Sequence, residues 1–214
     1  MGRTVHLTAR DRELVAALAR NIRVASVAQI ARTWFAESAA PTRSAEHRLS
    51  DLVSAGMIER FVMLARPELD LESPLVCWRA GDPVPDFPRL ASRLAARWKA
   101  PLVRTPLVIA SRAGGVTFGG TGGRRPRLSE VSHDVSLTAV YLKRFVRSHG
   151  PLALWYSEAR LAGLGFGDRT RLPDAMIQEG ANRTVIELGG AYSAAKLAAF
   201  HDFCRRENMG YELW

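Results

Sequence analysis

Residues 26–56, SVAQIARTWFAESAAPTRSAEHRLSDLVSAG, contain two helical patterns joined by a short polar segment. Ser26 and Gln29 have the spacing of a capping box, and the apolar residues that follow repeat at helical intervals as far as Phe35. Proline is typical of a first helical turn, as at Pro41, and glycine of the position just after a helix, as at Gly56. The sequence therefore predicts one helix over about residues 26–37 and a second from residue 41 or 42 to just before residue 56.

A further helix is predicted upstream of this stretch, and two short strands are predicted downstream. Thr8 and Asp11 can cap a helix over residues 8–20, whose inner face carries Leu14, Val15 and Leu18. Two short strand-like runs follow at residues 57–64 and 75–78, separated by a polar turn at residues 66–73. Three helices and a hairpin predict a winged helix-turn-helix over residues 1–80.

The outward face of the third helix carries the candidate DNA contacts, because in a winged helix this helix enters the major groove. We predict contacts from Arg43, Ser44, His47 and Arg48 on that helix and from Arg60 in the hairpin. Two alternatives stay open on this pattern. Polar residues opposite an apolar stripe also form an ordinary solvated face, and some winged helices bind protein.

The composition is that of a folded and strongly basic protein. Of its 214 residues 47% are hydrophobic, and the formal net charge is +9. A basic surface suits a polyanionic partner, because each phosphate that it neutralises releases counterions. Double-stranded DNA is therefore the expected partner, while the Arg- and Ala-rich usage of a GC-rich genome is the alternative reason for the charge.

Cysteine usage and the absence of long apolar runs bear on the compartment. Cys77 and Cys204 are far apart and have no metal-ligand spacing, which argues against a disulfide scaffold or a zinc site. No apolar run approaches the roughly 18 residues of a membrane span, and the N-terminus lacks the apolar core of a signal peptide. A cytoplasmic protein without a membrane partner is expected.

Residues 81–127 are predicted to be a linker that contains a short helix, a strand and a glycine- and arginine-rich loop. Three prolines in GDPVPDFP, residues 81–88, indicate a domain boundary, and Leu90, Leu94 and Trp98 indicate the helix. The loop GGVTFGGTGGRRPR, residues 114–127, predicts a flexible segment in which backbone amides, Arg124 and Arg125 hold phosphate. A basic loop without a specific ligand is the alternative, since the glycine spacing matches no nucleotide-binding motif.

Residues 128–214 are predicted to form an α/β domain, so that the whole chain belongs to the α+β class. A helix that begins near His133 and ends near residues 149 and 150 is followed by strands at 152–156, 174–178 and 184–188. A helix over about residues 193–206 and a final strand at 211–214 complete the order αβββαβ. This order is that of a restriction-endonuclease-like domain.

Three acidic residues fall at the ends of these strands. Neighbouring strands would bring Asp174 and Glu187 together, with Glu158 after the first strand, and converging carboxylates suit Mg²⁺ or Mn²⁺. Metal-dependent nucleases of the PD-(D/E)xK type also use a lysine two residues after the second acidic position. That position is Gly189 here, and Lys196 on the following helix is the candidate replacement. Each carboxylate also has a structural alternative as a turn cap, a surface residue or the partner of an arginine.

Several segments together resemble the replication-relaxation family of bacterial plasmid and mobile-element proteins. They are LTARDRELVAALAR at 7–20, SHDVSLTAVYL at 132–142, WYSE at 155–158, LPDAMI at 172–177, VIELGGAYSAAKLAAFHDFC at 185–204 and YELW at 211–214. The resemblance implies a DNA-binding role in replication, transfer or regulation of a mobile element. It also implies a nuclease-like fold with acidic residues at Glu158, Asp174 and Glu187, from which Gly189 departs.

Three functional hypotheses follow from the sequence. In the first, the chain is a DNA-binding regulator or replication or mobilisation accessory that acts as a homodimer, and its second domain is a degenerate nuclease fold or an interaction module. In the second, it is a metal-dependent endonuclease that uses the three carboxylates and Lys196. In the third, it is an adaptor that binds other proteins of a DNA-processing complex.

Overall fold

The computed structural model of the chain describes residues 5–146, 153–166 and 172–214. Helices and strands are both abundant and the strands form two sheets, which confirms the α+β class. In chain order the elements are α1 (Ala9–Arg20), β1 (Ala25–Ser26), α2 (Val27–Trp34), α3 (Pro41–Ser54), β2 (Ile58–Ala65), β3 (Val76–Trp78), α4 (Phe87–Arg97), β4 (Val103–Ala110), α5 (Arg112–Thr117), α6 (Val131–Tyr141), a π-helical turn (Leu142–Val146), β5 (Ala153–Ser157), α7 (Glu158–Gly163), β6 (Ala175–Glu179), β7 (Asn182–Glu187), α8 (Ala194–Arg206) and β8 (Gly210–Leu213).

The chain divides into two compact units, and each unit is built from two separate segments. Unit 1 consists of Met1–Glu68 and Leu102–Leu142, and unit 2 consists of Leu69–Pro101 and Lys143–Trp214. The first segment of unit 2 is therefore inserted between β2 and β4 of unit 1. This division differs from the expected boundaries after residues 80 and 127, because the expected linker contributes α4 to unit 2 and both β4 and α5 to unit 1.

The three N-terminal helices begin and end where their local signals predict. Thr8 and Ser26 both form capping boxes, in which each side chain accepts a hydrogen bond from the amide three residues on. At the end of α3, Gly56 has a φ of +70°, a conformation that glycine adopts without strain. The apolar faces of these three helices are buried, except that Val53 of α3 is 40% exposed.

The sheet of unit 1 has the strand order β1-β4-β2, and both pairings are antiparallel. Its inner face carries Leu107 and Ile109, which pack with Val24, Ala65 and two residues of α6, Val131 and Val135. The Thr138 hydroxyl donates to the Val24 carbonyl oxygen at 2.6 Å, which fixes α6 to the segment before β1. The expected assignment of this helix to the second domain is therefore wrong, because α6 belongs to the core of unit 1.

The predicted hairpin between residues 57–64 and 75–78 is also wrong. Strand β2 pairs with β4 over its whole length, from Ile58 opposite Ala110 to Ala65 opposite Val103. Strand β3 pairs instead with β8 of unit 2 and places Trp78 in the core of that unit. The eight-residue β4 offers hydrogen-bond partners along the whole of one edge of β2, whereas β3 has only three residues.

The glycine-rich segment is packed, which corrects the expectation of a flexible loop. It opens with α5, in which Gly114 and Gly115 are buried. A Cβ at Gly120 would overlap the backbone of Ala19, and one at Gly122 would overlap the backbone of Ser111. These glycines therefore permit close backbone contact, and the Thr121 amide donates to the Ala19 carbonyl oxygen at 2.9 Å.

The sheet of unit 2 has the order β3-β8-β7-β6-β5, with β7 and β8 parallel and the other neighbours antiparallel. Helices α4 and α8 supply Leu90, Leu94, Leu197 and Phe200 to the core on one face of this sheet. The predicted strands and α8 of this region are confirmed, with β3 and the short α7 as additions. The expected end of the preceding helix at residues 149 and 150, and residue 152 of the first strand, lie outside the described residues.

Candidate functional sites

The outward face of α3 presents two of the predicted contact residues to solvent. Arg43 is exposed, and the His47 side chain is 79% exposed with its Nδ1 atom 4.0 Å from a carboxylate oxygen of Asp51. Ser44 is only half-buried, and its hydroxyl lies 2.6 Å from the hydroxyl of Ser38. Arg43 and His47 are therefore the α3 side chains best placed to meet a partner.

Arg48 is held within the protein by the buried carboxylate of Asp11. Its Nε atom donates to one Asp11 oxygen at 3.0 Å and its Nη2 atom donates to the other at 2.6 Å. The same guanidinium donates to the His6 carbonyl oxygen at 2.7 Å and to Asp51 at 3.4 Å. Asp11 is 1% exposed, so Arg48 neutralises a charge in the core of unit 1. We therefore assign Arg48 a structural role in place of the predicted DNA contact.

The predicted arginines outside α3 lie on or near β2. The Arg60 Nη1 atom is 3.5 Å from the Glu46 carbonyl oxygen and 3.4 Å from the Ser50 hydroxyl, which places this side chain against the outward side of α3. Arg125 stacks over the Phe61 ring at 4.7 Å and pairs with a carboxylate of β2, while Arg124 is exposed. Arg60 is thus the residue that joins α3 to the neighbouring strand.

The three predicted carboxylates of unit 2 occupy consecutive positions across the sheet. The registers of β5 with β6 and of β6 with β7, extended by one residue, place Glu158 opposite Asp174 and Asp174 opposite Glu187. The Glu158 amide donates to the Asp174 carbonyl oxygen at 3.2 Å, which continues the pairing beyond β6. The expectation that neighbouring strands bring Asp174 and Glu187 side by side agrees with this register. We call these three residues the carboxylate row.

Glu187 is the buried member of the row. It is 1% exposed, and its Oε1 atom accepts a hydrogen bond from the Tyr192 hydroxyl at 2.8 Å. Burial and the nearby charge of Glu187 raise the pKa of the Cys204 thiol to about 12. Glu187 is therefore removed from bulk solvent, a setting in which a carboxylate needs hydrogen-bond donors or a cation.

Asp174 and Glu158 are more accessible than Glu187. Asp174 is half-buried, and its Oδ2 atom accepts a hydrogen bond from the Leu188 amide at 2.7 Å. Glu158 is exposed at the start of α7. Within residues 5–146, 153–166 and 172–214, no three acidic, histidine or cysteine side chains are arranged to hold a metal ion. Among the residues that the structure describes, at most two carboxylates could therefore hold a cation here.

Lys196 is connected to the row through Tyr192. The Lys196 Nζ atom lies 3.3 Å from the centroid of the Tyr192 ring, whose hydroxyl binds Glu187. The Lys196 amide is the capping partner of Ser193 at the start of α8. The proposed replacement lysine thus lies at the same end of β7 as Glu187, with an aromatic ring bound to both residues.

Gly189 occupies the lysine position of the nuclease pattern, and the packing around it leaves no room for a side chain. A Cβ on Gly189 would overlap the side chain of Leu94, which is completely buried on α4. The Trp98 indole donates to the Gly189 carbonyl oxygen at 3.1 Å, which holds α4 close to this residue. The close approach of α4 therefore fills the space that a lysine would need.

Gly189→Ala should lower the free energy of unfolding by about 1–3 kcal/mol, because the added methyl group overlaps a fully buried leucine. Denaturant unfolding followed by circular dichroism measures this change. Gly163→Ala is the matched control, since a Cβ there meets no atom within 4 Å. Equal stability of Gly189→Ala and the wild-type protein would contradict the close packing of α4.

One buried charge network, on the opposite face of the same sheet, was not among the residues predicted from the sequence. Glu212 is 5% exposed in β8 and accepts hydrogen bonds from Arg144 Nε at 2.9 Å and from the Trp214 indole at 2.9 Å. The one available signal is a glutamate inside the apolar run YELW at residues 211–214. Its bonds to Arg144 and Trp214 give Glu212 a structural role.

Comparison of the chain with protein-family models, curated proteins and solved structures finds no match. None of the helices in the described parts of the chain is both long and apolar enough to span a bilayer.

Proposed function

We propose that this chain is a DNA-binding protein and that unit 1 is a winged helix that inserts α3 into the major groove. Its first six elements follow the order helix, strand, two helices, strand, strand, with α5 and α6 after them, and the short β1 pairs with β4. In this arrangement α3 is the recognition helix and β2 and β4 form the wing. The long insertion between β2 and β4 takes the place of the usual wing loop.

The observation that carries the proposal is the exposed polar face of α3, with Arg60 of β2 lying beside it. Arg43 and His47 are exposed on α3, and Arg60 reaches from β2 to the backbone of the same helix. Arg43 can reach a base edge or a phosphate, and the net charge of +9 strengthens the attraction to a polyanion. A helix face that combines these groups is suited to a duplex groove.

The wider biological role in this proposal follows the resemblance to the replication-relaxation family. A regulator or mobilisation accessory of a plasmid or mobile element would use unit 1 for targeting. We propose that it acts as a homodimer on two half-sites, as winged helices commonly do. Unit 2 would then act as an interaction module or as a nuclease.

Arg43→Ala should weaken binding to double-stranded DNA by about 1–3 kcal/mol, and it should reduce the salt dependence if the lost contact is to a phosphate. Fluorescence anisotropy with a labelled duplex at several salt concentrations measures both quantities. Arg112→Ala on α5 removes the same charge from an exposed position outside the predicted set of contacts and serves as the control. We expect this control to bind nearly as tightly as the wild-type protein.

Two outcomes would contradict DNA recognition by α3. The first is equal weakening by Arg43→Ala and Arg112→Ala, which would indicate a general effect of charge. The second is salt-independent or absent DNA binding by the wild-type protein, which would favour the hypothesis of a protein-binding adaptor.

Metal-dependent cleavage of DNA by unit 2 is the second candidate function, and the carboxylate row favours it. Asp174 and Glu187 occupy opposite register positions, and two such carboxylates can bind Mg²⁺ or Mn²⁺. Glu158 would complete the acidic set, and Lys196 would support the reacting phosphate in place of a lysine at residue 189. The packing of Leu94 against Gly189 argues for a degenerate site.

Incubation of the protein with supercoiled plasmid and Mg²⁺ or Mn²⁺ separates the two functions of unit 2. If the row is catalytic, cleavage should disappear in Asp174→Ala and in Glu187→Gln. Glu179→Gln, a change at an exposed carboxylate on the far end of β6, should leave cleavage unchanged. Cleavage that persists in both row variants would contradict a catalytic row.

A further inference from the structure

Arg97 lies on the inner face of α4, where an apolar residue would be expected. Leu90 and Leu94 on this face are 7% and 0% exposed, and Arg97 continues their helical spacing. Its Nη1 atom is buried, and among the residues that the structure describes it has no hydrogen-bond partner. Arg97 thus combines a buried donor with a positive charge.

Arg97 is half-buried, and within the described parts of the chain the structure leaves one donor of this positively charged side chain without an acceptor. Burial, and then the charge of Arg93, lower the pKa of Arg97. Buried charges are normally paired, because the loss of hydration is costly unless an acceptor replaces water. Arg93 and Arg97 are four residues apart on one helix, so their guanidinium groups repel each other.

The position of Arg97 on α4 is fixed by its neighbours. Leu94 packs against Gly189, and the Trp98 indole binds the Gly189 carbonyl oxygen. Arg97 lies between these two residues in the sequence, so the helix that carries it is anchored at Gly189, two residues after Glu187 of the carboxylate row.

We propose that Arg97 anchors a binding site for a phosphate-type oxyanion in unit 2, with Arg93 as the second cationic group. A guanidinium presents paired N–H donors that match the oxygens of a phosphate. A doubly charged anion satisfies the buried donor and relieves the repulsion between two arginines, which a singly charged carboxylate does less well. The site is independent of DNA binding by α3.

Titration of the protein with inorganic phosphate tests the site, and the indole N–H signal of Trp98 in a two-dimensional NMR spectrum is the probe. Phosphate should shift this signal saturably in the wild-type protein, and Arg97→Gln should bind at least about tenfold more weakly. Arg93→Gln should have a smaller effect, because its side chain is exposed. A parallel titration with a short single-stranded oligonucleotide distinguishes free phosphate from the phosphates of a nucleic-acid backbone.

The controls separate a built site from general attraction to a basic protein. Arg89→Gln removes the same charge from an exposed position on α4 and should bind like the wild-type protein. Thermal unfolding in phosphate and in chloride at equal ionic strength gives a second readout. Phosphate should raise the melting temperature of the wild-type protein and of Arg89→Gln by more than that of Arg97→Gln.

The outcomes decide the proposal as follows. Loss of phosphate binding in Arg97→Gln supports a site for free phosphate or a phosphate ester, and loss confined to the oligonucleotide supports a site for a backbone phosphate. Equal binding by Arg97→Gln and the wild-type protein in both titrations overturns the proposal. Equal weakening by Arg89→Gln and Arg97→Gln also overturns it.

Discussion

Replacement of Arg48 by Met should lower the free energy of unfolding by about 3 kcal/mol, as measured by urea denaturation. The reason is that Asp11 is 1% exposed and both of its carboxylate oxygens accept hydrogen bonds from Arg48. Without the guanidinium, unit 1 would contain a buried carboxylate that has lost its positive partner. The expected loss is at the lower end for buried pairs, because the Arg48 side chain is 24% exposed.

A matched variant and a double variant separate this ion pair from other effects. His47→Ala, at an exposed neighbour on α3, should change the stability by less than about 0.5 kcal/mol. Asp11→Asn combined with Arg48→Met should be more stable than Arg48→Met alone, because the unpaired charge is removed. A change in Arg48→Met no larger than in His47→Ala would show that the pair contributes nothing.

The same pair makes stability depend on acid pH. Burial raises the pKa of Asp11, but the hydrogen bonds from Arg48 and Thr8 outweigh it and hold the pKa below its ordinary value. A carboxyl group whose pKa is lowered by folding stabilises the fold above its unfolded pKa, about 3.9, and this contribution is lost as the pH falls below that value. Arg48→Met should flatten this acid part of the stability profile.

Arg48 also shows what helical periodicity can and cannot assign. The sequence places Arg48 beside Arg43 and His47 on the polar side of α3, and all three residue types can contact DNA. Its partner Asp11 is 37 residues away on α1, and only the packing of the two helices brings them together. DNA binding by the folded Arg48→Met protein should therefore stay close to that of the wild-type protein.

Local signals predict most elements of this chain, because their causes are local. Capping residues, apolar spacing and Gly56 fix the ends of the first three helices within a few residues. Strand pairing was predicted from nearness in the sequence, and it was wrong for β2 because its partner β4 begins 38 residues after β2 ends. The sequence does not show that a long segment is inserted between two paired strands, because several other apolar segments could equally pair with each strand.

The carboxylate row and the glycines illustrate the same limit at the candidate site. A proline before Asp174 and a glutamate in an apolar strand were enough to predict that two carboxylates lie on neighbouring strands. Residue 189 is a glycine because a leucine of α4 packs against it. That leucine lies 95 residues earlier in the chain, so no local pattern indicates the contact. Likewise, the sequence alone does not show whether a glycine-rich segment is flexible or is packed closely against another part of the backbone.

The nested topology predicts that residues 1–80 alone will not fold. This fragment lacks β4, which pairs with β2 at all eight positions from Ile58 to Ala65. It also lacks α6, which supplies Val131 and Val135 to the core behind that sheet. Circular dichroism should therefore show no cooperative thermal transition for the fragment, because β2 has no partner strand and the core has lost the residues that β4 and α6 supply.

A spliced version of unit 1 is the matched control for that fragment. Residues 1–68 joined to residues 102–142 through Asn-Gly retain β4 and α6, and the ends of β2 and β4 are already neighbours, with Ala65 opposite Val103. This chain should unfold cooperatively and bind duplex DNA with the same sensitivity to Arg43→Ala. Cooperative unfolding of residues 1–80 would contradict the role of β4 and α6, whereas an unfolded spliced chain would show that unit 1 depends on unit 2 for its stability.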